Sequence, residues 1–155
     1  MYKKFIITLS CLSLIFPLTA AGQTPALHFD RITTENTLTV KGLSQNSIYC
    51  LIQDSRGFIW IGTWDGLNRY DGYDYIVYNT ANGLSHPTIN SVIEDDEQNI
   101  WIGTDDGLNR LNRSTGKITV FHHNPENPNT LSNDYVNHIL QDKQGYLWIS
   151  TAEGL

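Results

Sequence analysis

The side chains best suited to hold a small molecule are Trp64, Arg69 and Arg110. Trp64 stands in a turn and has no counterpart in two related stretches of the chain, where Asp105 and Ala152 take its place. An unrepeated aromatic on a loop offers a flat apolar surface to a ligand; the competing reading is a lone exposed tryptophan with no role. Arg69 and Arg110 each follow a Leu-Asn pair. They are expected to pair with turn carboxylates such as Asp65 and Asp106, and the alternative is that they rim a shared face and meet an anionic ligand.

Other chemistry is excluded by type or spacing. His86, His122, His123 and His138 show no metal-ligand pattern, and the adjacent pair His122 and His123 would point to opposite faces of a strand. The run Asp95-Asp96-Glu97 lacks the alternating oxygen ligands and late bidentate glutamate of a calcium loop. Its sister turns hold Ser55-Arg56 and Lys143-Gln144, so a shared metal site is ruled out. Nucleophile elbow, phosphate-cradling glycine loop and paired carboxylates are all missing. No catalytic residue, metal or cofactor is therefore assigned. Cys50 alternates with Ile48 and Ile52 and reads as a packed core thiol; Cys11, the second cysteine, lies in the leader, leaving no internal disulfide.

The chain has 155 residues, is 40% hydrophobic with 11% aromatics, and carries a formal charge of −6. That composition is globular. The acidic balance, with lysine and arginine scattered singly, speaks against nucleic acid as a partner, because neutralising phosphates takes clustered cations.

The elements that position these residues come from a repeat. Ile59-Trp60-Ile61-Gly62-Thr63 through Gly66-Leu67-Asn68-Arg69 recurs from Ile100 to Arg110, and again from Leu147 to Leu155. The tryptophans Trp60, Trp101 and Trp148 are spaced 41 and 47 residues apart. Fixed-period self-similarity of this length marks a stacked-repeat architecture. Equal placement implies an equal structural job for the three indoles, each wedged between adjacent sheets.

Within each unit a short apolar run such as Ile48 to Gln53 ends at Asp-x-x-Gly, the return strand carries the tryptophan, and a second tight turn leads to two further strands. Asn99 is read as standing where Gly57 and Gly145 stand, in a left-handed position. Four antiparallel strands per repeat with no helical signal predict an all-β fold of propeller blades, about two and a half of them. The units are 42–82, 83–130 with an extended loop from His123 to Thr130, and a partial third over 131–155. Before them, residues 1–22 read as a secretory signal, with Lys3 and Lys4 ahead of a short apolar run, and 23–41 as an N-terminal strand at Phe29 with a linker.

The recurring phrase, Gly-Leu-Ser, an apolar strand, Asp-x-x-Gly, then Ile-Trp-Ile-Gly-Thr-x-x-Gly-Leu-Asn-Arg, resembles the two-component regulator propeller repeat. The resemblance covers residues 42 to 155. It implies the N-terminal part of a periplasmic sensor from a hybrid two-component system histidine kinase, anchored in the inner membrane, with an oligosaccharide as ligand and signal transduction as its role. It also implies a longer, dimeric parent whose kinase lies further C-terminal, so that this stretch, alone, is expected to be marginal and to meet the rest of the sensor or another propeller segment. The alternatives are a secreted propeller that closes by self-association and the start of a propeller-type carbohydrate-active enzyme.

Overall fold

A computed structural model describes residues 42–155, which fall within one compact unit. The leader, Cys11 and the strand expected near Phe29 lie outside the described residues.

Among the described residues, ten strands form three antiparallel sheets. The first holds β1 (Ile48–Gln53), β2 (Ile59–Thr63), β3 (Gly66–Tyr70) and β4 (Tyr75–Tyr78) in sequence order. The second holds β5 (Ile89–Glu94), β6 (Ile100–Thr104), β7 (Gly107–Leu111) and β8 (Ile118–Phe121). The third pairs β9 (Val136–Gln141) with β10 (Leu147–Thr151), and a bridge between Thr151 and Gly154 begins the next return. This is the expected propeller architecture, an incomplete one. A 3₁₀ turn, Thr80–Asn82, departs from the all-strand reading; Asn79 and Asn82 cap each other's backbone across it.

Successive sheets meet chiefly through the first strand of the later one, which packs on the first two strands of the earlier one. Gly62 and Gly103 make that approach possible. A Cβ on Gly62 would lie 2.7 Å from a methyl of Ile89, and one on Gly103 2.7 Å from a methyl of Val136. Beside each glycine the tryptophan fills the gap: Trp60 joins Leu67, Ile89, Val92 and Ile102 in the first inter-sheet core, and Trp101 packs with Leu108, Val136 and Ile139 in the second. Outer-strand rings close over both indoles, Tyr78 on Trp60 at 5.7 Å and Phe121 on Trp101 at 5.6 Å between centroids.

The same aspartate serves the turn and the indole. One oxygen of Asp54 accepts the backbone N–H groups of Arg56 and Phe58, while the other accepts the Trp60 indole N–H at 2.7 Å. Asp95 and Asp142 hold Trp101 and Trp148 at 2.7 and 2.8 Å. Counted from the aspartate, the left-handed residue is Gly57, Gln98 or Gly145, with φ of 89°, 64° and 87°. The expectation for Asn99 is thus corrected to Gln98. Asn99 instead matches Phe58, because its backbone N–H donates to Asp95 as that of Phe58 does to Asp54.

A second recurring network explains why Ser, Thr and Asn travel with the repeat. The hydroxyls of Ser44 and Thr63 lie 3.0 Å apart, and buried Asn68 accepts from the Ser44 N–H while its amide donates to the Ser44 hydroxyl. Ser85, Thr104 and Asn109 repeat the arrangement. These buried groups are mutually satisfied, which is the condition for a polar network to stabilise a core. Cys50 packs against the first inter-sheet core, where burial pushes its thiol up to about 11 against a hydrogen bond from Gly62 that pulls the other way. It is the expected core thiol, sharing its face with Ile52, whereas a register shift after Ile48 turns that residue to the other face, where it is 49% exposed.

The sheets are also tied across their turns. Arg113, in the β7–β8 turn, reaches back to pair with Asp54 and with Glu94, the latter at 2.8 Å, and all three side chains are largely buried. Burial alone would push the Asp54 carboxyl up, but the indole of Trp60, the N–H groups of Phe58 and Arg56, and Arg113 outweigh it and hold it below 3.8. A lowered folded value means the carboxylate stabilises the fold above the ordinary range, and that the contribution fades as pH falls through the lowered value.

Two outcomes follow. Gly103→Ala is expected to cost about 1–3 kcal/mol in urea unfolding through overpacking against Val136, and Val136→Ala in the same chain to recover part of that cost. Asp54→Asn is expected to lower stability at neutral pH by about 3 kcal/mol, since it leaves the buried Arg113 with Glu94 as its one remaining carboxylate partner and weakens the acceptor for the Trp60 indole. Its unfolding free energy should also fall less steeply than that of the unmodified chain as pH drops below the ordinary carboxylate range, measured by urea titrations at stepped pH.

Candidate functional site

The three first strands share an irregularity that the sequence pattern conceals. In each, the pairing register slips by one residue, leaving Tyr49, Asn90 and Asn137 as the extra residue of a bulge. A bulge takes its residue out of the ladder and re-aims the side chain. Here it does so three times in equivalent places, on the strands through which the sheets meet. Two positions before each turn glycine stand Trp64, Asp105 and Ala152, of which Trp64 meets Tyr49 and Asp105 meets Asn90.

What those pairs do differs from sheet to sheet. Tyr49 and Trp64 form a tilted aromatic pair, with centroids 6.1 Å apart and planes at 40°, and remain 49% and 59% exposed. In the second sheet the Asn90 amide donates to Asp105 at 2.8 Å and to the Val136 carbonyl at 3.1 Å, which spans it to the third sheet. His86 stands 3.9 Å from the other Asp105 oxygen. In the third sheet Asn137 and Ala152 are both exposed. The rim thus presents one apolar platform followed by amide and carboxylate groups, the composition of a site for a polar molecule with an apolar face.

Positive charge is confined to one end of the strands, while carboxylates occupy both. The lysines and arginines among the described residues, Arg56, Arg69, Arg110, Arg113, Lys117 and Lys143, lie in the turns at the Asp54 end or on the strand positions next to them. The Trp64 end carries Asp65, Asp105, Asp106, Asp134 and Glu153, with histidine as its only potential cation among the described residues.

The structure therefore does not bring the sequence-predicted residues together. Trp64 belongs to the rim. Arg69 lies near the opposite end of its sheet, its guanidinium 4.7 Å over the Phe58 ring. Arg110 lies 5.6 Å over Trp101 and 5.9 Å over Phe121. Neither forms the expected ion pair with Asp65 or Asp106, because those carboxylates sit past the far ends of β3 and β7 from the arginines. Stacking on a ring replaces the pairing.

Sequence reading missed Tyr49, Asn90 and Asn137. The one available signal was that Ile48 and Leu51, rather than residues two apart, align with the buried pairs Ile89 and Val92, and Val136 and Ile139. It also grouped no histidine with acids, yet Asp106, His122 and Asp134 converge with ligand atoms within 4.8 Å of one another. His122 Nδ1 is 3.3 Å from Asp134, whose carboxylate also accepts the His123 N–H at 2.6 Å, so the trio acts as a tie between the extended loop and the β6–β7 turn.

Residues 42–65, 83–106 and 130–153 match the two component regulator propeller family. Over 39 residues the chain is 46% identical to a histidine kinase of Formosa agariphila, a stretch that covers 25% of this chain and 3% of that one. The extracellular domain of a hybrid two component system from B. thetaiotaomicron is similar over 70% of this chain and 16% of its own, with 35% identity and a TM-score of 0.64. Virginiamycin B lyase from Staphylococcus aureus has the same fold over 72% of this chain and 37% of its own, at 18% identity and a TM-score of 0.54. At that identity the lyase speaks to architecture alone. This chain spans a small part of each relative. With the recurring tryptophan, glycine, serine, threonine and asparagine each in a repeated structural place, it belongs to the two component regulator propeller family.

Proposed function

We propose that this chain is the opening part of the exported, ligand-binding propeller of a hybrid two component sensor, and that the rim formed by Tyr49, Trp64, Asn90, Asp105 and Asn137 contributes to binding a glycan-derived oligosaccharide. The observation that carries the reading is the exposed Tyr49–Trp64 pair beside hydrogen-bonding amides, at the strands where the sheets converge. A sugar ring offers an apolar C–H face to an aromatic platform, and its hydroxyls match amides, which donate and accept, and carboxylates, which accept. Likeness to the extracellular domain of a hybrid two component system supports the exported, sensing role. Export by the segment 1–22, the kinase, membrane anchoring, dimerisation and contact with the rest of the sensor belong to the same proposal, as does a sensor without catalytic groups of its own in this stretch.

The rim's charge narrows the ligand. With carboxylates at the Trp64 end and every described lysine and arginine at or toward the other, a uronic or sulfated sugar would be repelled. A neutral oligosaccharide fits. Arg69 and Arg110 are assigned to packing between and within the sheets.

Titration of the purified chain with neutral and anionic oligosaccharide pools from enzymatic polysaccharide digests, followed by calorimetry, tests this. Saturable binding of a neutral member is expected, weakened about tenfold or more by Trp64→Ala and unchanged by Arg69→Gln. Binding indifferent to Trp64→Ala, or preference for anionic sugars, would overturn the assignment.

A further inference from the structure

The extended loop, residues 123–130, is flanked by two side chains that could share one ion. His122 precedes it, Asp134 follows it, and both face Asp106 in the β6–β7 turn. The His122 Nδ1 lies 3.3 Å from Asp134 and 3.9 Å from Asp106, and one ligand atom from each of the three residues lies within 4.8 Å of the others. Each residue is placed by contacts outside the trio's side chains. The Asp134 carbonyl accepts the Gly107 N–H at 2.6 Å, which sets the loop's far end on the turn. The His122 ring lies against the bare backbone of Gly107, where a Cβ would come within 3.1 Å of Nδ1. The His123 N–H orients the Asp134 carboxylate, and the Asp106 N–H donates to Thr104 Oγ1 at 3.2 Å. Outer groups that fix a ligand's direction in this way are what a metal site needs.

The first junction has the same backbone without the side chains. There the Gly66 N–H donates to the Pro87 carbonyl at 2.7 Å, and Asp65, Asn79 and Pro87 stand in the places of Asp106, His122 and Asp134. The fold itself therefore does not call for the trio. Those three residues are exposed or half-buried although a whole four-stranded sheet follows them, so the openness of this place does not come from the number of strands in the third sheet.

Charge points to what the trio holds. The described lysines and arginines lie toward the other end of the strands, and a further carboxylate, Asp105, adjoins Asp106. An ion bonded at about 2.0–2.2 Å to nitrogen and oxygen ligands keeps them roughly 3–4 Å apart, close to the spacing seen here. The imidazole selects among dications, because it suits Zn²⁺ and its first-row neighbours, whereas Mg²⁺ and Ca²⁺ take oxygen ligands.

We infer that Asp106, His122 and Asp134 bind a divalent transition-metal ion of the zinc class, which clamps the extended loop onto the β6–β7 turn. Three protein ligands leave the ion a position for water or for an oxygen of another molecule. None of the three belongs to the rim assigned to sugar, so the inference is independent of the oligosaccharide reading.

The test titrates the full chain, free of any histidine tag, with ZnCl₂ by calorimetry in a buffer that does not chelate. One ion per chain is expected to bind saturably, at least tenfold more tightly than Mg²⁺ or Ca²⁺. His122→Ala and Asp134→Asn should each weaken zinc about tenfold or more, while His86→Gln leaves it unchanged. Both replaced side chains are partly exposed, so the variants should unfold in urea at the unmodified midpoint when zinc is absent. Cleavage after Glu126 by a glutamate-specific protease should slow several-fold with zinc in the unmodified chain and not in His122→Ala. The inference is overturned by absence of saturable zinc binding, by undiminished affinity in His122→Ala, or by Ca²⁺ binding as tightly as zinc. Zinc binding that leaves cleavage after Glu126 unaltered would overturn the clamp.

Discussion

Each sheet in this chain has two apolar faces, and neither is covered unless another sheet lies on it. The consequence is visible in residues of equal sequence role. Trp60, with a whole four-stranded sheet beyond it, is 0% exposed; Trp101, with two strands beyond it, is partly buried; Trp148, with no sheet beyond it among the described residues, is 48% exposed. The other face shows the reverse order. Leu51 is 59% exposed, while its counterparts Val92 and Ile139 are buried. Local sequence is nearly constant across the three units, so the difference is one of neighbours. Stability in such an array is a sum of unit and interface contributions.

Close approach then dictates the remaining choices. Gly62 and Gly103 must lack a side chain because the space is taken, by Cys50 of the same sheet and Ile89 of the next at Gly62 and by Val136 of the next sheet at Gly103. The indole beside each needs a hydrogen-bond acceptor once buried, and the turn aspartate supplies one from the oxygen that it does not spend on the hairpin. Ser, Thr and Asn satisfy one another where the chain enters each sheet. The hydrogen-bonding constraints hold at the third unit too, where Asp142 still holds the exposed Trp148 and Ser132 still meets Thr151, although Ser150 stands in the place of the glycine. Hydrogen bonding within a unit is thus local, whereas burial is not.

This division explains what could be read from the chain alone. Strand order, turn positions and the structural role of the repeated tryptophans follow from periodicity, because each is fixed within one unit. Propensity for left-handed backbone points to Asn99, but the spacing from Asp95 puts the left-handed residue at Gln98. The rim was legible only at Trp64, which stands out by failing to repeat. Tyr49, Asn90 and Asn137 depend on bulges, whose register slip leaves no mark in composition. Arg69 and Arg110 looked like ligand or ion-pair residues because their targets, Phe58 and Trp101, are across a strand rather than along the chain.

The central claim is that closely similar units acquire their core from the neighbouring sheets, the tryptophan face from the sheet that follows. Labelling the chain with 5-fluorotryptophan and measuring the solvent isotope shift of each ¹⁹F resonance, assigned by single Trp→Phe replacements, tests it directly. The account predicts a graded series, with Trp60 shielded, Trp101 intermediate, and Trp148 as accessible as the turn residue Trp64. Equal shielding of Trp60, Trp101 and Trp148, or a Trp60 as open to solvent as Trp64, would contradict it.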